Sequence, residues 1–292
     1  MLVNAACAGY RPVPDFDPGD TGEPVPVTGT PLTQVWRSRP VRGPSAPVAV
    51  DSLNIYLGGA NRQVVAVDLQ SGKTRWSTRV PGPVIGGVTL HDSLLYVAND
   101  RPGNKVYAFK VASGSEAWST RIGYVEAPVA WCDGRIIALT RRGEIVALNA
   151  NDGKRVWHHR LPSASVGPMP LGNGTVLVTS FDSLYTVRVQ DGRVLVRRAA
   201  PGAVVAPWIR VGDALIAGTG DSLLVAISAD SLRETWRVRL DAPLLVSPTA
   251  RGDTLFGVTR TGSTYRVPLG SDSMPTRLGR SGWPATGAPA VV

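Results

Sequence analysis

Short apolar runs follow one another along most of the chain, and glycine, aspartate, serine or asparagine bounds each of them. Within residues 46–80 the runs are APVAV, NIYLGG, VVAVDL and TRWSTRV. Their content of valine, isoleucine, tyrosine and tryptophan favours β-strands. Because no window sustains an apolar period near 3.6 residues, we predict an all-β fold without amphipathic helices.

A glycine turn followed by a tryptophan recurs along the sequence, first in SGKTRW, SGSEAW and NDGKRVW. The tryptophan position returns every 39 to 42 residues, at Trp36, Trp76, Trp118, Trp157, Val196 and Trp236. The glycine precedes it by four residues, at Gly72, Gly114, Gly153 and Gly192, and Leu232 replaces it in the fifth copy. A proline or glycine landmark that runs from Pro47 to Pro289 keeps the same period. Two landmarks with one period establish an internal repeat.

Each repeat unit holds four predicted strands, which is typical of a β-propeller blade. Six full units span roughly 41–80, 81–122, 123–161, 162–200, 201–240 and 241–280. We expect the glycine to supply the positive φ of a tight hairpin turn. The tryptophan would lie on the outermost strand and pack against the neighbouring blade.

The pattern in VVAVDLQSGKTRW, VYAFKVASGSEAW and IVALNANDGKRVW resembles the PQQ-like β-propeller repeat, and most of all the BamB family of outer-membrane assembly lipoproteins. The resemblance covers about residues 35–292. It implies a non-catalytic, periplasmic scaffold that binds an envelope protein, such as the outer-membrane barrel-assembly machinery, and binds no nucleic acid. We further expect a monomer. Val196 and the segment SDSMPTRL (271–278) depart from the repeat, so weaker blade docking is predicted at those two seams.

Both ends of the repeat region carry an incomplete unit. QVWRSRP (34–40) reads as an outer strand, and ATGAPAVV (285–292) reads as an innermost strand. Propellers of the resembled family pair strands from both termini in one blade, which removes an exposed sheet edge. We therefore expect a chain truncated at its C-terminus and an intact protein of seven or eight blades.

Residues 1–34 contain proline, glycine and aspartate without a strand pattern, which indicates a flexible linker. Ala5 and Ala6 directly precede Cys7, as in the end of a bacterial lipoprotein signal, and Cys7 is the candidate for lipidation. The charged part and most of the apolar part of such a signal are missing, and Asn4 stands where an aliphatic residue is usual. An incidental free cysteine is the alternative.

The chain carries a formal net charge of +9. Its arginines are scattered, as in RRG (141–143), HHR (158–160) and VRR (196–198), without a long basic run. We interpret them mainly as solvated strand faces and turns. A functional basic patch remains the alternative.

The sequence offers no motif for catalysis, cofactor binding or metal binding, because HExxH, P-loop and GxSxG patterns are missing. His158 and His159 are adjacent in a predicted strand and point to opposite faces, so they are poorly placed to share a metal. Quinone-dependent alcohol dehydrogenases, a resembled family, hold pyrroloquinoline quinone and calcium beside an adjacent-cysteine disulfide. The two cysteines, Cys7 and Cys132, are not adjacent. Such an enzyme, or a ligand-sensing propeller, is kept as the alternative function.

Overall fold

A computed structural model describes residues 35–280, except residues 46, 126, 162–163, 181 and 271–273. Over these residues the regular structure consists of 24 strands in six four-stranded sheets. In every sheet, strands that are consecutive in the sequence are neighbours and pair antiparallel. The described residues include no helix long and apolar enough to cross a bilayer.

The first three sheets coincide with the first three repeat units. Sheet 1 comprises β1 (Ala49–Val50), β2 (Asn54–Gly58), β3 (Gln63–Asp68) and β4 (Thr74–Arg79). Sheet 2 comprises β5 (Val88–His91), β6 (Leu94–Ala98), β7 (Lys105–Lys110) and β8 (Glu116–Arg121). Sheet 3 comprises β9 (Ala130–Cys132), β10 (Arg135–Leu139), β11 (Glu144–Asn149) and β12 (Arg155–Arg160).

The last three sheets follow the same order. Sheet 4 comprises β13 (Ala164–Gly172), β14 (Thr175–Ser180), β15 (Ser183–Arg188) and β16 (Val194–Ala199). Sheet 5 comprises β17 (Ile209–Val211), β18 (Ala214–Gly218), β19 (Leu223–Ser228) and β20 (Glu234–Arg239). Sheet 6 comprises β21 (Thr249–Arg251), β22 (Thr254–Val258), β23 (Ser263–Pro268) and β24 (Thr276–Arg280).

The chain divides between Arg197 and Arg198 into two compact units. The first unit holds sheets 1 to 3 and nearly all of sheet 4. The second unit holds sheets 5 and 6. In the first unit, the inner strands β1, β5, β9 and β13 of successive sheets lie next to one another.

The core of the first unit lies between successive sheets, and each middle strand contributes to two layers of it. In β10, Ile136 and Ala138 pack in the cluster shared with sheet 2, whereas Ile137 and Leu139 pack in the cluster shared with sheet 4. Side chains alternate between the two faces of a strand, so both faces of β10 are covered. Two-sided burial explains why these strands read as continuous apolar runs instead of alternating ones.

The predicted all-β fold with one four-stranded sheet per repeat unit is confirmed. The expectation of an outer strand at 34–40 is wrong for residues 35–40, which adopt no strand conformation. A strand needs a neighbour for its ladder hydrogen bonds, and the described part of the chain provides none to this segment. The predicted linker at 1–34 and the innermost strand at 285–292 lie outside the described residues.

Candidate functional site

Tryptophans of the repeat bind the backbone of the sheet that follows them. In the first unit, four indole N–H groups donate to the carbonyl directly after a third strand; three of these tryptophans lie on the outer strand of the preceding sheet, and Trp36 precedes sheet 1. The donor–acceptor pairs are Trp36 with Leu69 (3.0 Å), Trp76 with Val111 (2.8 Å), Trp118 with Ala150 (2.9 Å) and Trp157 with Val189 (2.8 Å). The hydrogen bond satisfies a donor that is otherwise costly to bury in an apolar seam.

The turn glycines lie directly beneath these rings. Gly72, Gly114, Gly153 and Gly192 have φ between +69° and +76°. A Cβ added at Gly153 would lie 2.5 Å from Cε3 of Trp118, and one at Gly72 would lie 2.6 Å from Cε3 of Trp36. The glycine is therefore required for two reasons, the left-handed backbone and the space that the preceding sheet's indole occupies.

A second hydrogen bond accompanies the indole at the same turn. Thr78 and Thr120 donate their hydroxyl groups to the carbonyls of Gly114 and Gly153, both at 2.6 Å. His159 takes the equivalent place in sheet 3, with Nε2 3.2 Å from the carbonyl of Asp191. We propose that the ring, the indole hydrogen bond and this second bond together fix the angle between successive sheets.

In the second unit the turn before Trp236 is built differently. Leu232 replaces the glycine, keeps a left-handed φ of +53°, and is 2% exposed. Arg198 donates from Nε to the carbonyl of Ser231 at 2.9 Å. Trp236 itself is half-buried and packs against the cluster between sheets 5 and 6. Weaker docking at the two departures from the repeat, one of which falls partly outside the described residues, stays a prediction.

A groove of about 370 Å³ lies beside one of these seams. Its lining includes Asp51, Asn54, Arg75 and Trp76 of sheet 1 and Ser93 and Val111 of the following sheet. The Asp51 carboxylate accepts hydrogen bonds from the Tyr56 hydroxyl at 2.7 Å and from the N–H groups of Leu53 and Asn54 at 2.8 and 2.7 Å. The groove is thus bordered by a hydrogen-bond network centred on the Asp51 carboxylate.

This network is not poised for proton transfer at neutral pH. Burial favours the neutral form of Asp51, but the hydrogen bonds from Tyr56 and the backbone outweigh it and lower the pKa of Asp51. Burial, together with the bond to Asp51, raises the pKa of Tyr56 to about 12. Asp51 is therefore ionised and Tyr56 protonated at pH 7, and the pair anchors the turn before β2.

The other residues with possible chemistry are held in structural contacts. Cys132 is buried, and burial raises the pKa of its thiol to about 11, so the thiol is neutral. His159 lies against Trp157, with ring centroids 5.5 Å apart, and His91 stacks on Trp131 at 3.3 Å. Over the described residues, no group of three or more His, Cys, Asp or Glu side chains is arranged to hold a metal ion. Cys7 lies outside the described residues.

The fold is of the β-propeller class, and the solved structures that share it include the following two. BamB from Moraxella catarrhalis matches with a TM-score of 0.66 and 15% sequence identity, over 84% of this chain and 78% of that one. The computationally designed Ika8 protein matches with a TM-score of 0.63 and 12% identity, over 77% of this chain and 70% of that one. These likenesses define the class of fold.

The sequence comparisons then give the family. The family model described as outer membrane protein assembly factor BamB matches residues 30–167 and 102–211, and the chain belongs to this family. Proteins named outer membrane protein assembly factor BamB from Moranella endobia and Burkholderia pseudomallei are 32% and 27% identical over 50% and 55% of this chain. The Salmonella typhimurium protein of the same name is 28% identical over 60%. The alignments cover 42%, 41% and 48% of these relatives, so the matched region spans less than half their length.

The double requirement for a turn glycine predicts that Gly153→Ala is more damaging than Gly134→Ala. Both glycines have φ +70°, but an added Cβ at Gly134 has no neighbour within 4 Å. The backbone cost of alanine at this φ is about 1–2 kcal/mol at either site. At Gly153 the clash with Trp118 adds about 1–3 kcal/mol. Denaturant unfolding of both variants measures the difference, and equal losses would show that the indole does not press on the turn.

Proposed function

We propose that this protein is a non-catalytic scaffold of the bacterial cell envelope that takes part in outer-membrane protein assembly. The observation that carries the proposal is the family match over residues 30–211, together with relatives that are all named for that role. The matched region lies mainly in the first unit, where sheets joined by repeated seams expose their outer strands and loops. Such a surface offers a partner a broad and rigid contact area.

The proposal of a non-catalytic role follows the names of the matched relatives, which are assembly factors. In the described part of the chain, the carboxyl, phenol and thiol groups with shifted pKa values are shifted away from neutrality. The pKa values of Asp51, Asp68, Asp152 and Asp191 are lowered, mainly by hydrogen bonds, and those of Tyr56, Tyr96, Tyr107 and Cys132 are raised by burial. The names of the matched relatives give no support to the quinone-dependent alternative.

The proposal places the protein in the periplasm as a monomer, held to the outer membrane by a lipid on Cys7. The partner is a protein of the barrel-assembly machinery. The support for the anchor is the sequence alone, in which two alanines precede the only cysteine of the leader. A single acyl chain binds membranes weakly, and stable anchoring takes a second signal or further chains.

Affinity capture tests the assembly role. The tagged Cys7→Ser protein is used as bait for detergent-solubilised envelopes, so that no lipid contributes, and heat-unfolded bait is the control. We expect barrel-assembly proteins to be enriched about tenfold or more over the unfolded bait, which corresponds to roughly 1.4 kcal/mol of selective binding. Equal recovery on both baits would contradict the proposal. Dye reduction by the purified protein with added pyrroloquinoline quinone would replace it with the enzyme alternative.

Metabolic labelling tests the anchor separately. In cells that express the protein from its native gene, we expect an alkyne-palmitate label on the wild type and none on Cys7→Ser. The unlabelled variant should also shift from the membrane fraction to the soluble fraction. Unlabelled wild-type protein that remains soluble would assign Cys7 to the incidental alternative.

A further inference from the structure

Four successive copies of the repeat in the first unit carry an exposed arginine at the same position, three of them on outer strands. Arginine stands three residues after the tryptophan in four successive copies, as Arg39, Arg79, Arg121 and Arg160, and all four side chains are exposed. We call these four residues the arginine row. They are 40, 42 and 39 residues apart in the sequence, and for this reason the sequence alone shows them as scattered charges.

The strand register places three members of the arginine row at the same corner of their sheets. Arg79, Arg121 and Arg160 each pair with the first residue of the neighbouring third strand, which is Gln63, Lys105 or Glu144. Their sheets are consecutive and their inner strands lie side by side. The three arginines therefore follow one another along one edge of the unit.

Among the residues that the structure describes, no carboxylate pairs with a member of the arginine row. Other arginines of this unit do have one, since Arg75 pairs with Asp68 at 2.6 Å and Arg188 with Asp191 at 2.5 Å. Over the described residues, no ion pair joins Arg39, Arg79, Arg121 or Arg160 to any acidic side chain. Even Glu144, which lies opposite Arg160 in register, forms none.

The centre of the row concentrates positive charge at a cost to the fold. Lys105 lies directly opposite Arg121 on the adjacent strand, and like charges in that position are destabilising. Arg155 of the next sheet donates to the Arg121 carbonyl at 3.3 Å, which brings a third cation to the same place. The Lys105 ammonium has a neutral partner, the Ser119 hydroxyl at 3.2 Å. Negative charge from another molecule would relieve this repulsion.

The surroundings of the row favour a protein partner over a lipid surface. The side chains beside the arginines on the same strand face are Ser77, Ser119 and His158, all polar. The strands β4 and β8 expose no large apolar side chain that would insert among acyl chains, and β12 exposes a single one, Val156, at 41%. Peripheral membrane binding normally combines basic charge with such apolar insertion. Guanidinium groups, in turn, match carboxylates in bidentate geometry.

We propose that the arginine row binds an acidic, extended segment of a protein partner, whose aspartates or glutamates pair with successive arginines. Packed sheets lie about 10 Å apart, with wider spacing at outer strands that diverge, and an extended chain rises about 3.3 Å per residue. A carboxylate at every third residue therefore offers charges at multiples of about 10 Å, from which successive arginines can each take one. The inference rests on the proposed scaffold function only in that the partner is a protein.

The test compares two triple variants with the same change in net charge. The row variant combines Arg79→Glu, Arg121→Glu and Arg160→Glu. The control variant combines Lys73→Glu, Lys110→Glu and Arg193→Glu, which are exposed cations of the same unit away from that corner. The probe is a fluorescent twelve-residue peptide with the repeat Glu-Ser-Gly, titrated by anisotropy at low salt.

We expect the row variant to bind the peptide at least tenfold more weakly than the wild type, and the control variant less than threefold more weakly. Binding should also weaken as salt rises, because exposed charges are screened. Equal weakening in both variants would overturn the proposal, since it would reflect net charge alone. Wild-type binding to phosphatidylglycerol vesicles without binding to the peptide would overturn it in favour of a membrane surface. If the row variant does not fold, Arg79→Gln, Arg121→Gln and Arg160→Gln in combination give a charge-matched comparison with Lys73→Gln, Lys110→Gln and Arg193→Gln. The assay contains no envelope component, so its outcome is independent of the capture experiment.

Discussion

The contact between an indole ring and the glycine turn of the following sheet is the constraint from which the rest of the structure follows. A four-stranded sheet with two apolar faces is not stable alone, because both faces must be covered. At each seam, the tryptophan covers the outer edge of one face of the following sheet. Its indole N–H donates a hydrogen bond to one backbone carbonyl of that sheet. Apolar packing by itself is not directional. The hydrogen bond has a preferred distance and angle, so it fixes the position of each sheet relative to the next.

The sequence was sufficient for the fold because both of its main signals are periodic. Trp76, Trp118 and Trp157 mark the outer strand, and the glycines mark the turn before it. The sequence did not reveal that each turn glycine makes room for the tryptophan of the preceding sheet, as Gly153 does for Trp118. The two residues meet because their sheets are neighbours in the fold, and no spacing within one turn indicates this contact. The segment 35–40 was misjudged for a similar reason, since a strand pattern forms a strand only where a neighbouring strand is available.

The arginine row was not predicted from the sequence, although its arginines recur at one position of the repeat. Single arginines about 40 residues apart do not form a basic run, and charge patterns are usually sought over short windows. Alignment of the repeat units on their tryptophans would have placed Arg79, Arg121 and Arg160 at one position. The same seams that stack the sheets bring these charges together on one edge. In a repeat architecture, a binding surface is thus encoded at the period of the fold.

A double-mutant cycle between Trp118 and Gly153 tests the central contact most directly. Trp118→Val, which copies the valine found naturally at position 196, removes the ring, and Gly153→Ala introduces the methyl group that the ring excludes. If the ring presses on the turn, Gly153→Ala costs at least about 1 kcal/mol less stability in the Trp118→Val background than in the wild type. Losses that add to within about 0.5 kcal/mol would show that the two residues act independently, and the seam would then have to be explained by other contacts.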